Sequence, residues 1–269
     1  MTDPNTPPSA TLTLVVTPAN DYPAGLDLKG LADYLSDRTG ISINLRRCKN
    51  YKEAIASLTD GSAQIGWLGP YAYKEAAGRD GSIEPFAVGV PKSKSTPNYY
   101  SVFIVRPDSD IKMLVDVRNS SIALVNVYST SGYDVPKREL AEVGIDIDNK
   151  GDFKSITHVV NHNEAVHAVL ERRVDVAPVS SIYLQEMVAS GAIDSSSFRI
   201  LHQSPAIPGA LLVFTLNLES DLKQRIKALV LDAHNHIDIS DYGGLMSRYV
   251  DPLVSRRKHL ETHLRPQWG

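Results

Sequence analysis

Apolar runs of strand length alternate along this chain with stretches whose apolar residues recur every three or four positions. Residues 11–16 (TLTLVV) have the length and β-branched content of a strand, and the PANDYP that follows breaks it. In residues 28–40, Leu28, Leu31, Ala32 and Leu35 fall at helical spacing, and a glycine stands at the C-terminal end. Residues 41–47 (ISINLRR) alternate as a strand does. A second amphipathic helix is expected over 51–61, a buried strand over 63–69 and a third helix from Tyr71. Two more strands are expected at 85–90 and 99–106, separated by the polar, turn-rich PKSKSTPN.

The alternation then repeats: strand 121–127, helix 134–144, strand 155–160, helix 163–173, strand 174–180, helix 181–191, strand 197–204. A last strand at 210–216 precedes a long amphipathic helix over 218–236. Strands alternating with helices predict an α/β fold with mostly parallel sheets. Changeovers near 92–100 and 202–209 divide the pattern into two lobes. Lobe 1 is expected from residues 11–96 and 206–260, lobe 2 from 97–205. The Pro-rich start, residues 1–10, reads as a flexible leader. Ligands of such folds sit at C-terminal strand ends and between lobes.

Composition narrows the functional classes. The chain has 269 residues, 42% of them hydrophobic, enough to build a substantial core. Its net charge of −3 lacks the electrostatic footprint of a general nucleic-acid binder. No run approaches the roughly 18–20 consecutive apolar residues of a membrane span. No basic segment leads into an apolar one, so the chain reads as a mature form with its signal peptide absent. The single cysteine, Cys48, allows no intrachain disulfide and no CxxC metal site. Its neighbours Arg46, Arg47 and Lys49 would lower its thiol pKa if they lie close. The eight histidines show no strong ligand spacing; neither metal nor cofactor is expected.

The stretch YSTSGY, Tyr128 to Tyr133, places Ser129, Thr130 and Ser131 where a strand gives way to a helix. One hydroxyl there would be explained by N-capping. Three also suit an anion cradle, in which hydroxyls and unpaired N–H groups converge on an oxyanion.

Five segments, in order over about 240 residues, carry a resemblance: NYKEAIASLTDGSAQIGWLGPYAYKEA, YYSVFIVRPDS, YSTSGYDVP, NHNEAVHAVLERRVDVAPVSS and SPAIPG. In these the chain resembles the periplasmic solute-binding proteins of phosphonate, phosphite and phosphate ABC transporters, the phosphonate-binding (PhnD-like) family. The resemblance implies a two-lobed, type II Venus-flytrap fold with a ligand cleft between the lobes. It implies ligand contacts at Tyr51, Tyr99, Ser129, Thr130, Ser131 and His162, the last just before the helix of 163–173. Of the adjacent Tyr99 and Tyr100, on opposite faces of a strand, it favours Tyr99 for the cleft. The expected partner is an ABC permease, the location periplasmic, and the protein a monomer.

Members that take aminoalkyl phosphonates carry acids to pair with the ligand's ammonium. This chain has Ser180 at one such position and Gly209 and Ala210 at the other. A buried ammonium without a carboxylate is costly, so the expected ligand is small and lacks an amine: phosphite, methylphosphonate or phosphate, with the Ser180 hydroxyl as a weak substitute contact. An oxyanion sensor of the same fold, signalling to the ectodomain of a histidine kinase, is the alternative; Cys48, near Tyr51 in sequence, would suit arsenite. Ser129, His162 and Asp175 invite a hydrolase reading, but there is no GxSxG elbow, and no enzyme activity is expected.

Overall fold

A computed structural model describes residues 11–18, 28–80, 83–92, 94–239 and 246–253. The leader expected at 1–10 lies outside them. The first lobe is built on β1 (Thr11–Val16), β2 (Ser42–Arg47), β3 (Ile65–Leu68), β4 (Ile83–Pro91), β12 (Leu211–Thr215) and β13 (Met246–Val250), in the order β13-β4-β12-β3-β1-β2. The second contains β6 (Ser101–Val105), β7 (Ser121–Leu124), β8 (Ser155–His158), β9 (Val176–Ser180) and β10 (Arg199–Gln203), in the order β10-β6-β9-β7-β8. Helices α1 (Lys29–Thr39), α2 (Tyr51–Thr59), α3 (Pro70–Asp80) and α7 (Ser220–Asp232) belong to the first sheet. Helices α4 (Val135–Glu142), α5 (His162–Leu170) and α6 (Ser181–Ala189) belong to the second.

Both sheets are covered on both faces, which is why their strands read as nearly unbroken apolar runs. Leu12, Leu14 and Val16 of β1 face α1 and α7, where Leu31, Leu35, Ile226 and Val230 are buried; Val15 faces Ile55 and Leu58 of α2 on the other side. In the second lobe Val102 and Ile104 of β6 pack on Val166 and Val169 of α5, while Phe103 and Val105 meet Leu140 of α4. Alternation by one residue thus sends each strand's side chains into two cores.

Two sequence expectations need correction. The sheets are mixed rather than mostly parallel. Among the described residues parallel pairing joins β1 to β2 and β3, and β7 to β8 and β9. The pairings of β4, β6, β10, β12 and β13 are antiparallel. The reversed strands are β6 and β12, which enter their sheets by crossing from the other one, and β13, which returns from the far end of the chain; local periodicity does not encode the direction of such a strand. The second correction concerns the strand expected over 99–106. It is two strands: β5 (Asn98–Tyr99) and β6, with Tyr100 at the join.

At that join the chain leaves one sheet for the other. β5 pairs with β11 (Ile207–Pro208) in a two-stranded ribbon, Ile207 opposite Tyr99. The ribbon is where the outgoing and returning chain meet. Gly209 follows it in a place that admits no side chain, since a Cβ there would lie 2.6 Å from the Pro97 carbonyl oxygen and 2.9 Å from that of Gly89.

Candidate ligand-binding site

Tyr51, Tyr99, Ser129, Thr130, Ser131, His162 and Ser180 all line one cavity between the two sheets. Its volume is about 40 Å³, room for roughly three water-sized spheres. Thr17, Trp67, Gly69, Ile182, Tyr183, Ala210 and Met246 complete the wall, and no charged side chain is among the lining residues.

The elements explain the convergence. Tyr51 opens α2, which is capped by the Asn50 side chain accepting from the N–H of Glu53 at 2.9 Å. His162 opens α5 in the same way, with Asn161 accepting from Glu164 N–H at 2.9 Å. His162 is therefore the first residue of its helix, and Asn161 does the capping that would otherwise have occupied it. Ser180 ends β9 and is the cap position of α6, and Gly69 precedes α3. Several helix N-termini thus bring their positive dipole ends to one small space.

Ser129, Thr130 and Ser131 sit at a feature that no pattern in the sequence announced. Between β7 and α4 the chain makes a π-helical turn, Thr130–Asp134, before the α-helix starts with Pro136 in its first turn. Ser129 caps this turn, its Oγ accepting from the N–H of Gly132 at 3.2 Å. The capping role and the cavity role coexist in one residue. The turn is held from below by Ser101, whose hydroxyl donates to the Ser131 carbonyl at 2.7 Å. It is held from the opposite lobe by the N–H of Tyr71, which donates to Thr130 Oγ1 at 2.9 Å.

His162 is 2% exposed, and burial lowers its pKa to about 3, so the ring is neutral. Its Nδ1 accepts the backbone N–H of Ser180 at 3.1 Å, which places the ring proton on Nε2. Nε2 lies 3.4 Å from Ser129 Oγ. His162 is consequently a neutral hydrogen-bond donor facing the cavity, and it has no free lone pair with which to take a proton from Ser129. Asp175, the third member of the hydrolase reading, accepts from Ser121 N–H at 2.9 Å and from Ser121 Oγ at 2.6 Å, and pairs with Arg106. A base–carboxylate relay is not assembled. Burial also raises the phenol pKa of Tyr51, and that of Tyr99 to about 12, so both stay protonated donors.

Other expectations resolve differently. Cys48 is buried against Tyr51 and Val15 in the core beneath α2 and is not among the lining residues. Burial first, then the Glu53 carboxylate, raise its pKa to about 11, outweighing the lowering by Arg46. Cys48 is thus a core residue rather than a thiol activated by its basic neighbours. Tyr100 does not line the cavity, whereas Tyr99 does. Of the two positions after the SPAIP segment, Ala210 lines the cavity and Gly209 does not.

Sequence reasoning missed Tyr183, whose ring stacks on His162 with centroids 5.3 Å apart. It also missed Thr17, Trp67, Ile182 and Met246. Each stands in or beside an apolar run and reads as core; only the register of neighbouring strands, Val16 beside Trp67 for example, brings them to the cavity.

Comparison with known proteins agrees with this architecture. Residues 15–247 match the family of the ABC transporter, phosphonate, periplasmic substrate-binding protein. Over 198 residues, 71% of this chain, the sequence is 28% identical to the phosphonates-binding periplasmic protein of Escherichia coli K12 and spans 56% of it. It is 21% identical over 229 residues to the phosphate-import protein PhnD of Mycolicibacterium smegmatis, 81% of this chain and 70% of that protein. The chain thus spans little more than half the length of the first relative. A binding protein component of an ABC phosphonate transporter from Pseudomonas aeruginosa superposes with a TM-score of 0.77 at 21% identity, covering 97% of this chain and 91% of the other. The two-lobed α/β fold, the cavity between its sheets and a match over most of the chain lead to one conclusion: this chain belongs to the phosphonate-binding family of ABC-transporter periplasmic substrate-binding proteins.

Proposed function

We propose that this chain is the extracytoplasmic solute-binding component of an ABC importer, and that it captures a small phosphorus oxyanion: phosphite, methylphosphonate or phosphate. One observation carries this reading. Hydroxyls, phenols and a neutral imidazole from both lobes converge on a cavity of about 40 Å³ that no charged side chain lines. Neutral donors and helix N-termini stabilise an anion without the direct ion pair that would slow its release. Tyr51, Tyr99, Ser129, Thr130, Ser131, His162 and Ser180 are the proposed contacts, with closure of the lobes around the ribbon of β5 and β11 excluding water. The protein then acts as a monomer that hands its cargo to a membrane permease, in the periplasm. Among the described residues no helix is long and apolar enough to cross a membrane.

An aminoalkyl phosphonate is a poor fit for two reasons. The cavity has little room beyond a tetrahedral head group. Ser180 and Ala210 stand where carboxylates would be needed, and a desolvated ammonium would meet no counter-charge. Catalysis is not part of the proposal, since the neutral His162 donates rather than accepts. Nothing on the cavity wall favours an arsenite sensor, because the thiol lies outside it.

A thermal-shift panel tests the reading. Phosphate, phosphite or methylphosphonate should raise the melting temperature, while 2-aminoethylphosphonate at equal concentration should not. Ser131→Ala should weaken the stabilising ligands by about tenfold, as expected for one lost hydrogen bond to an anion. A panel in which no oxyanion stabilises the protein would refute the ligand class.

A further inference from the structure

The part of the cavity wall supplied by the first lobe holds two polar atoms with no hydrogen-bond partner among the described residues. Thr17 follows β1 and Trp67 lies in β3, one strand over; β1 and β3 are parallel neighbours, with Val16 beside Trp67. Both residues line the cavity, each only 4% exposed. Thr17 Oγ1 and Trp67 Nε1 are fully shielded from bulk solvent and have no hydrogen-bond partner among the described residues. Buried polar groups without partners are rare, and each calls for a reason. The indole body of Trp67 packs in the first lobe's main core, so its orientation is set by packing and the N–H cannot swing out to water.

We propose that Thr17 and Trp67 read a fourth oxygen on the ligand, and that the site consequently prefers inorganic phosphate to methylphosphonate or phosphite. The inference rests on the oxyanion reading above and sharpens it. Three oxygens of any of these ligands can be met by the turn at Ser129–Ser131, by His162, Tyr51, Tyr99 and Ser180. The fourth substituent distinguishes them: oxygen in phosphate, carbon in methylphosphonate, hydrogen in phosphite. An indole N–H is a donor only, so Trp67 requires an acceptor. A hydroxyl both donates and accepts, so Thr17 can take the proton of a P–OH group, a role no lining carboxylate is present to fill. A methyl group or a P–H hydrogen facing this wall would leave both atoms buried and unmade. Burying one methyl against Met246 or Ala210 returns less than two unmade buried hydrogen bonds cost.

The test compares affinities by calorimetric titration of the whole chain with phosphate, phosphite, methylphosphonate and sulfate, in wild type, Trp67→Phe and Thr17→Val. Circular dichroism and the melting temperature of the free proteins check that each variant folds. Wild type should bind phosphate at least about tenfold more tightly than methylphosphonate or phosphite. Trp67→Phe should weaken phosphate by about tenfold and leave methylphosphonate within about twofold, collapsing the preference. Thr17→Val should weaken phosphate more than sulfate, which carries no proton to donate. Equal wild-type affinity for phosphate and methylphosphonate, or an equal loss for every ligand in Trp67→Phe, would overturn the inference while leaving the oxyanion site intact. Failure of all four anions to bind wild type would instead overturn the site itself.

Discussion

At the scale of single residues, His162 concentrates the chemistry of the site. An imidazole in water is half protonated near pH 6.5, and a charged one would attract an anion more strongly. This protein instead buries the ring and uses its Nδ1 to accept the Ser180 N–H, leaving one neutral donor at Nε2. The depressed pKa of about 3 has a consequence for stability. Below pH 6.5 the unfolded chain gains a proton at this position that the folded chain refuses. Stability is therefore full above pH 6.5 and falls as pH drops toward 3, by up to about 1.4 kcal/mol per pH unit. His162→Asn retains an acceptor for Ser180 and has no titrating ring. Urea unfolding at pH 7.5 and pH 5 should show wild type losing about 2 kcal/mol more than the variant between the two conditions. Equal losses would mean that the ring is not buried in its neutral form.

Protonation also bears on binding. Tyr51 and Tyr99 stay phenols and His162 stays neutral throughout pH 5–9. The pH dependence of affinity over that range should then follow the ionisation of the free ligand alone. Methylphosphonate and phosphate should give profiles displaced from one another according to their own acidities. A shared inflection near pH 6.5 for both ligands would assign a titrating histidine to the site.

At the scale of elements, the π-helical turn between β7 and α4 organises the hydroxyl cluster. It needs Gly132: a Cβ there would lie 2.5 Å from Val125 Cγ2 and 2.6 Å from Val125 Cβ, both in the packed core of the second lobe. Gly132→Ala should destabilise the protein by roughly 1–3 kcal/mol, the usual penalty for overpacking. It should weaken oxyanion binding as well, because Ser129, Thr130 and Ser131 move with the turn. A variant of wild-type stability and affinity would show that the turn is not fixed by this contact.

Much of this level was legible in the sequence. The helices at α1, α2, α5 and α7 follow from apolar spacing, and Gly40 closes α1 with a left-handed backbone, φ 73°. The three hydroxyls of YSTSGY and the helix-start position of His162 were legible for the same local reason: side-chain chemistry at an element's end. Strand direction was not, since β12 and β13 return to the first sheet from the far end of the chain. Nor was the break at Tyr100, because a run of apolar residues does not reveal that its first residue, Tyr99, pairs in a separate ribbon. Thr17, Trp67 and Tyr183 were hidden for a related reason. A core residue and a cavity-wall residue differ only in what the neighbouring element leaves unfilled.

At the scale of the whole molecule, the site exists only where both lobes meet. Tyr51, Thr17 and Trp67 come from the first lobe, the hydroxyl turn, His162 and Ser180 from the second, and Tyr99 from the ribbon between them. The hydrogen bond from Tyr71 N–H to Thr130 Oγ1 spans the cleft and shows the lobes drawn together. A ligand bound here would meet side chains of both lobes, and in the proposed reading the size and charge of its fourth substituent decide admission. That makes the contrast between a bare and an aminated head group the sharpest test of the central claim. Isothermal titration should show saturable 1:1 binding of phosphate or methylphosphonate and no detectable heat with 2-aminoethylphosphonate at the same concentrations. Tighter binding of 2-aminoethylphosphonate than of either small anion would contradict the account.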